Sequence, residues 1–185
     1  MKRAAPPAFL LIIVSLLVLS TADARLQQQP NPADRFEVSD VMVPMRDGKK
    51  LHTKIFTPRG QTGPLPIIFK RTPYGIQGAA NYFDAYYKAL ADDGYIFVHQ
   101  DIRGKFESEG EFVMQRPARP PSPRGAGAAG YVTDPSSIDE GTDTYDTIDW
   151  LIKNVRNNNG RVGMLGVSYD GWTTIMAAIE PHPAL

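Results

Sequence analysis

The sequence predicts an α/β fold, a mostly parallel sheet flanked by helices. Between Leu65 and Gly104 the chain reads strand, helix, strand. That is the order of a βαβ unit, in which two parallel strands are joined by a helix packed across them. Between Arg161 and Glu180, RVGMLGVSYDGWTTIMAAIE passes abruptly from an apolar strand-like run into an apolar helix, with Ser168 at the corner.

Taken in order, the chain opens with MKRAAPPAFLLIIVSLLVLSTADA, a basic start, an apolar run and small residues at Ala22 and Ala24. This is the pattern of a signal peptide spanning residues 1–24, cleaved after Ala24. The apolar run from Phe9 to Leu19 has 11 residues, whereas a bilayer-spanning helix takes about 20. The rival expectation is an uncleaved anchor. Export to the periplasm or medium, with no stable membrane span after cleavage, is the reading adopted. Residues 25–35 are polar and Pro-interrupted and read as a flexible arm.

The remaining 161 residues suffice for one domain with a real core. Setting aside Lys2, Arg3 and Asp23 leaves 18 basic and 19 acidic side chains. That balance gives no basic field for nucleic acid. There is no cysteine, which excludes thiol chemistry and Cys-based metal sites. The three histidines, His52, His99 and His182, have no close metal-ligand spacing, and no cofactor is implied.

FEVSDVMVPM and KLHTKIFTP flank an Asp-Gly and read as a β-hairpin. Ile67 to Phe69 is a short buried strand, limited by Pro66 and Pro73. Tyr82, Phe83, Tyr86, Tyr87 and Leu90 form a near-helical stripe that Gly94 can stop. Residues 95–104 form the next strand. The stretch 115–137, dominated by Pro, Gly, Ala and Arg, has no sustained period and reads as a long loop. A helix follows over 138–155, with Tyr145, Ile148, Trp150, Leu151, Ile152 and Val155 as its apolar face. NNNG ends it, supplying residues tolerant of left-handed geometry.

A nucleophile elbow places a reactive hydroxyl on a strained turn between a strand and a helix, and large side chains near the corner would clash. Gly163, Gly166 and Gly171 supply small residues around Ser168. The usual G-x-S-x-G spacing fails, because Asp170 occupies the second glycine position and Gly171 comes one residue late. The elbow would aim the Tyr169 backbone N–H at a developing oxyanion, beside the positive end of the helix. Spacing alone leaves two readings open, with Ser168 either a nucleophile or a helix N-cap.

GMLGVSYDGWT resembles the G-x-S-Y-x-G elbow of the α-amino-acid ester hydrolases, in the group that includes X-prolyl dipeptidyl peptidases and cocaine esterase. In that group the late glycine is the regular pattern. VMVPMRDGKKLHTKIFTP, KRTPYG, GYIFVHQDIRGKFESEGEFVMQRP, DTYDTIDWLIKNV and EPHPAL resemble further family segments, in the same order. The resemblance implies the N-terminal part of an α/β-hydrolase fold over residues 36–185. It implies Ser168 as nucleophile, with an oxyanion hole formed by the Tyr169 backbone N–H and the Tyr74 hydroxyl. Asp101 and Arg103 look like a buried ion pair supporting the site, and residues 117–133 look longer than the corresponding family loop.

Serine acyl transfer needs a base and an orienting acid. In this fold they follow the serine in chain order, and only 17 residues follow Ser168. His182 lies 14 residues on, up to about 20 Å away along a helix. His52 and His99 precede the serine, and His99 sits mid-strand, where a structural role is expected. Asp170 reads as helix N-terminal charge. The chain therefore reads as truncated after the elbow, with acid and histidine expected beyond Leu185 and the elbow strand left as a sheet edge.

The expectation is a serine hydrolase acting through an acyl-enzyme on small-molecule α-amino-acid esters or amides, β-lactam antibiotics among them, and inactive as this chain alone. Alternatives are an X-prolyl dipeptidyl peptidase, a general carboxylesterase, or a non-catalytic hydrolase-like fragment. The intact enzyme is open to homo-oligomer formation.

Overall fold

The computed structural model describes residues 32–118 and 138–185. The expected signal peptide, residues 25–31 of the expected arm and residues 119–137 of the long loop lie outside them. The last four residues of the arm, Pro32–Arg35, form a helical turn. Arg35 is tied to Asp84 at 3.2 Å and Asp92 at 2.7 Å, so this end of the arm is anchored.

Among the described residues five strands make one sheet: β1 (Phe36–Pro44), β2 (Lys50–Pro58), β3 (Leu65–Thr72), β4 (Ile96–Asp101) and β5 (Asn158–Met164). Their order is β1-β2-β4-β3-β5. β1 and β2 form the predicted hairpin, whose turn needs Gly48 at φ 80. β2 runs antiparallel to β4, while β3 is parallel to both β4 and β5. The parallel half thus sends three successive loops from its carboxyl end, the usual place for a site in an α/β sheet. β5 is an edge among the described residues, pairing only with β3.

Strand alternation divides the apolar residues between two cores. Ile67, Phe69, Ile96 and Val98 face Ile148 and Leu151 of α2 (Glu140–Asn154). On the other face Phe97 packs with Phe36, Phe56, Phe83 and Tyr87, and the Phe83 and Phe97 rings lie 4.6 Å apart. Each fully buried ring or branched chain contributes about 1.5–3 kcal/mol. β4, at the centre, is buried along its whole length.

The stripe from Tyr82 to Leu90 is only partly helical, which corrects the expectation. A 3₁₀ turn (Ala79–Tyr82) is followed by further tight turns, and α1 covers only Lys88–Asp93. The backbone bonds Phe83 N–H to Ala80 O and Ala85 N–H to Tyr82 O are of the tighter i→i+3 kind. This winding buries Phe83 and Tyr87 in the aromatic core and leaves Tyr82 and Tyr86 exposed. Gly94 stops α1 as predicted, at φ 89 with its N–H donating to Leu90 O.

α2 starts with a reciprocal cap. The Asp139 carboxylate accepts from Thr142 N–H at 2.7 Å, and Thr142 Oγ1 accepts from Asp139 N–H at 2.9 Å. Its end differs from expectation, because Val155 at the C-cap is extended. The left-handed residues do fall within NNNG, at Asn157 and Gly160, but after the helix has already ended. Its buried face is also not wholly apolar. The first two turns bury Glu140, Asp143, Thr144 and Thr147.

The reason is Arg71, a fully buried guanidinium near the end of β3. Its Nη1 donates to Glu140 Oε2 at 2.7 Å and Glu140 O at 2.8 Å, and its Nε to Gln100 Oε1 at 2.8 Å. No helix among the described residues is long and apolar enough to cross a membrane.

Removing one partner of a buried ion pair costs about 3–5 kcal/mol, because the other charge stays buried. Arg71→Met should therefore lower unfolding free energy by that amount in denaturant titrations. Arg71→Met with Glu140→Gln should lose less than the two single variants combined, and a double loss equal to the sum of the single losses would show that the pair carries no coupling.

Candidate active site

α3 (Tyr169–Ile179) begins directly after Ser168, four residues beyond the end of β5. Ser168 has φ 59 and ψ −122, a conformation that side-chain-bearing residues avoid. Its side chain makes no capping hydrogen bond. The N-cap alternative therefore gains no support, since a capping serine has extended backbone and accepts an N–H. The serine is exposed on its turn.

The late glycine has a steric cause. A Cβ on Gly166 would overlap the Asp170 carbonyl, and one on Gly171 would come 3.2 Å from Gly166 O. The two glycines face each other where the first turn of the helix closes on the strand end. The close approach is made by Asp170 and Gly171, so a side chain three residues after Ser168 would crowd the strand end.

Tyr169 is the first helical residue, and its backbone N–H has no intrahelical acceptor. Its ring packs on Trp172 at 5.0 Å, and its hydroxyl oxygen accepts from Gln115 N–H at 3.0 Å. Burial pushes this phenol up. The Gln115 hydrogen bond opposes that, while Glu140 and the nearby Tyr74 add to it. Tyr74, on the loop after β3, is 65% exposed, and its backbone N–H donates to Thr72 Oγ1 at 3.2 Å. The loops after β3 and β5 thus bring Tyr74, Ser168 and Tyr169 to one end of the sheet.

Asp101 and Arg103 do not pair with each other, correcting the expectation. β4 ends at Asp101, and the chain turns so that each meets a different partner. Arg103 forms a fork with Asp143 (2.6 and 3.0 Å) and reaches Asp47 at 2.7 Å. These carboxylates outweigh the burial that disfavours its charge. Asp101 instead lies 3.0 Å from His52 Nδ1, while His52 Nε2 lies 2.6 Å from Asp40. Burial works against the imidazolium, but the two carboxylates raise its pKa above the ordinary value.

The other histidines are also engaged. His99 is buried among Phe56, Phe83 and Tyr87, and burial, with Lys70 nearby, lowers its pKa to about 3. His182 packs on Tyr145 at 4.6 Å, with Nε2 3.8 Å from Asp149. Asp170 does stand in the first helical turn, and it has an unforeseen partner in Lys70 Nζ at 2.9 Å. Burial opposes the Lys70 charge, but Asp170 outweighs it and raises the ammonium pKa. Lys70-Arg71 at the end of an apolar strand was the available signal, since alternation sends the two cations to opposite faces and each needs a buried acid. Among the described residues no group of three or more His, Cys, Asp or Glu is placed to hold a metal ion.

Residues 47–185 match the X-Pro dipeptidyl-peptidase (S15) family. The chain belongs to that family. It is 34% identical over 150 residues to the cocaine esterase of Rhodococcus sp. (strain MB1 Bresler), a match covering 77% of this chain and 21% of that protein. Among solved structures it is similar to an α-amino acid ester hydrolase (43% identity, TM-score 0.70), with 85% of this chain and 25% of that one covered. It is also similar to an aminopeptidase from a marine sediment Thaumarchaeota archaeon (39% identity, TM-score 0.68), with 81% and 24% covered. The chain spans about a quarter or less of the length of these relatives. An acetyl xylan esterase from Thermoanaerobacterium, at 18% identity and TM-score 0.54, shares the fold alone. The fold is that of an α/β-hydrolase.

Ser168→Gly should raise the unfolding free energy by about 1 kcal/mol, since glycine accepts the left-handed turn without strain. Unchanged or lower stability in calorimetry would mean that the turn is not strained.

The histidines should separate in an NMR titration. The His52 midpoint should lie above about 6.5, the ordinary value, whereas the His99 midpoint should be lowered to about 3. Because the folded pKa of His52 is raised, its stabilising contribution is complete below the ordinary value. It is lost as pH rises through the folded midpoint. A His52 midpoint below the ordinary value would contradict the bridged arrangement.

Proposed function

We propose that this S15-family segment supplies the nucleophile and oxyanion site of a serine hydrolase that works through an acyl-enzyme. Ser168 Oγ attacks the substrate carbonyl carbon, and the carbonyl oxygen becomes an oxyanion stabilised by the Tyr169 backbone N–H and the Tyr74 hydroxyl. The Ser168 proton passes to a general base outside the described residues, which returns it to the departing alcohol or amine as the intermediate collapses and leaves the acyl group on Ser168. Water then releases it. The observation that carries the reading is the strained Ser168 backbone, held by the mutual approach of Gly166 and Gly171.

The substrate class we favour is α-amino-acid esters and related amides, β-lactams included, on the 43% identity to the ester hydrolase. Peptide cleavage is the second reading, favoured by the family matched and by the 39% identity to the archaeal aminopeptidase. The signal-like residues 1–24 make a periplasmic or secreted location part of the proposal. The described residues offer Ser168 no free histidine, since His52, His99 and His182 are held elsewhere. The 185-residue chain by itself should therefore show no serine-dependent turnover.

The test compares p-nitrophenyl ester hydrolysis by the chain with that of a chimera in which residues 36–185 replace the matching quarter of the ester hydrolase. The chimera should turn over and its Ser168→Ala variant should not. Tyr74→Phe should lower kcat by about 10²–10³-fold with little change in KM, since the donor acts mainly on the transition state. A folded chimera without turnover, or one indifferent to Ser168→Ala, would refute the reading.

A further inference from the structure

We propose that the loop after β4, residues 102–116, is a brace that positions both halves of the oxyanion site, with Phe106 seating the turn of Tyr74 and Gln115 holding Tyr169. The inference rests on the reading of Ser168 as nucleophile. It adds positioning residues that do not touch the substrate.

Among the described residues four non-glycine positions have positive φ, and two of them, Phe106 (φ 49) and Gln115 (φ 46), lie in this loop. A bulky residue in that region is a genuine outlier, and such strain costs about 1–3 kcal/mol. Phe106 recovers little of it by burial, because it is 63% exposed. The far end of its ring instead lies against Gly75, the residue after Tyr74. A Cβ on Gly75 would come 2.9 Å from Phe106 Cζ. Gly75 itself has φ 93. The turn that carries Tyr74 is thus kept open on one side by a glycine and closed on that side by the Phe106 ring. At the other end of the loop Gln115 N–H donates to the Tyr169 hydroxyl oxygen at 3.0 Å.

Between these contacts the loop is tied to the sheet. Ser108 Oγ donates to Asp101 O at 2.6 Å and accepts from His52 N–H at 2.9 Å. Glu109 N–H donates to Lys50 O at 2.9 Å, and Gly104 N–H donates to Glu109 O at 3.0 Å. A Cβ on Gly104 would overlap the backbone at Glu111 and Phe112, and one on Gly110 would meet the Arg103 side chain at 2.8 Å. Arg103 in turn is forked onto Asp143 of α2. A loop fixed at so many points can transmit position to the two residues it touches. Misplacement by about 1 Å costs on the order of 10²-fold in rate, so a brace of this kind matters to the reaction.

Phe106→Gly removes the ring and relieves the backbone strain together. In the 185-residue chain labelled with ¹³C-tyrosine, the Tyr74 signal, assigned by its loss in Tyr74→Phe, should shift or broaden. The melting temperature should hold or rise. In the chimera kcat should fall about tenfold or more with KM unchanged, and Phe106→Tyr should restore both readouts. An unchanged Tyr74 signal would overturn the brace. A falling melting temperature would make Phe106 a packing residue, and a raised KM at constant kcat would make it a wall of the substrate site. Each of those outcomes rejects the proposal. The NMR readout does not depend on turnover, so loss of the Ser168 reading and loss of the brace are distinguishable.

Discussion

A guanidinium without water must be met by acids and carbonyl groups, and the carboxyl end of this sheet is arranged around meeting Arg71. The residue sits on β3 one position before Thr72, with no solvent exposure. It draws in Glu140 and Thr144 from α2 and Gln100 from β4. Its own carbonyl accepts from Thr173 Oγ1 of α3 at 3.3 Å. One residue therefore sets the height of two helices against the strand that leads to Tyr74. Burial raises the pKa of Glu140, while Arg71 pulls the other way. The charge pair is thus worth less as stability than as geometry.

Around that anchor the charges form a chain rather than isolated bridges. Asp143, one turn into α2, lies 3.6 Å from Arg71 Nη2 and is forked by Arg103, which also holds Asp47 of the β1–β2 turn. On the opposite side Lys70 takes Asp170 and places its ammonium 5.0 Å from the Tyr82 ring centre. Lys70 and Arg71 thus clamp the elbow helix and α2 from adjacent positions of one strand. The strained serine turn thus has a firm base.

Legibility in the sequence followed how local each cause was. The β1–β2 hairpin, the Gly94 stop and the strand–turn–helix around Ser168 rest on neighbouring residues, and each was read correctly. The tyrosine stripe does not fix a single helix, because helical spacing also fits tight turns when two of its rings are drawn into an aromatic core. The polar face of α2 was missed for the opposite reason. Thr144, Asp143 and Glu140 look solvated until a guanidinium 69 residues away in sequence from Glu140 is set against them.

What the sequence by itself determined is the α/β order, the corner serine with its glycines, and the family pattern with its late glycine. Those depend on backbone freedom and periodicity, which adjacent residues decide. Only the tertiary structure decided why the glycine comes late, because the first helical turn brings residue 171 against the Gly166 carbonyl. It alone separated Asp101 from Arg103 and gave each a different partner. It alone brought Phe106 to Gly75 and Gln115 to Tyr169. Each of these depends on where separate loops converge at the end of a sheet, and convergence is set by strand order and register, which no single stretch of sequence encodes.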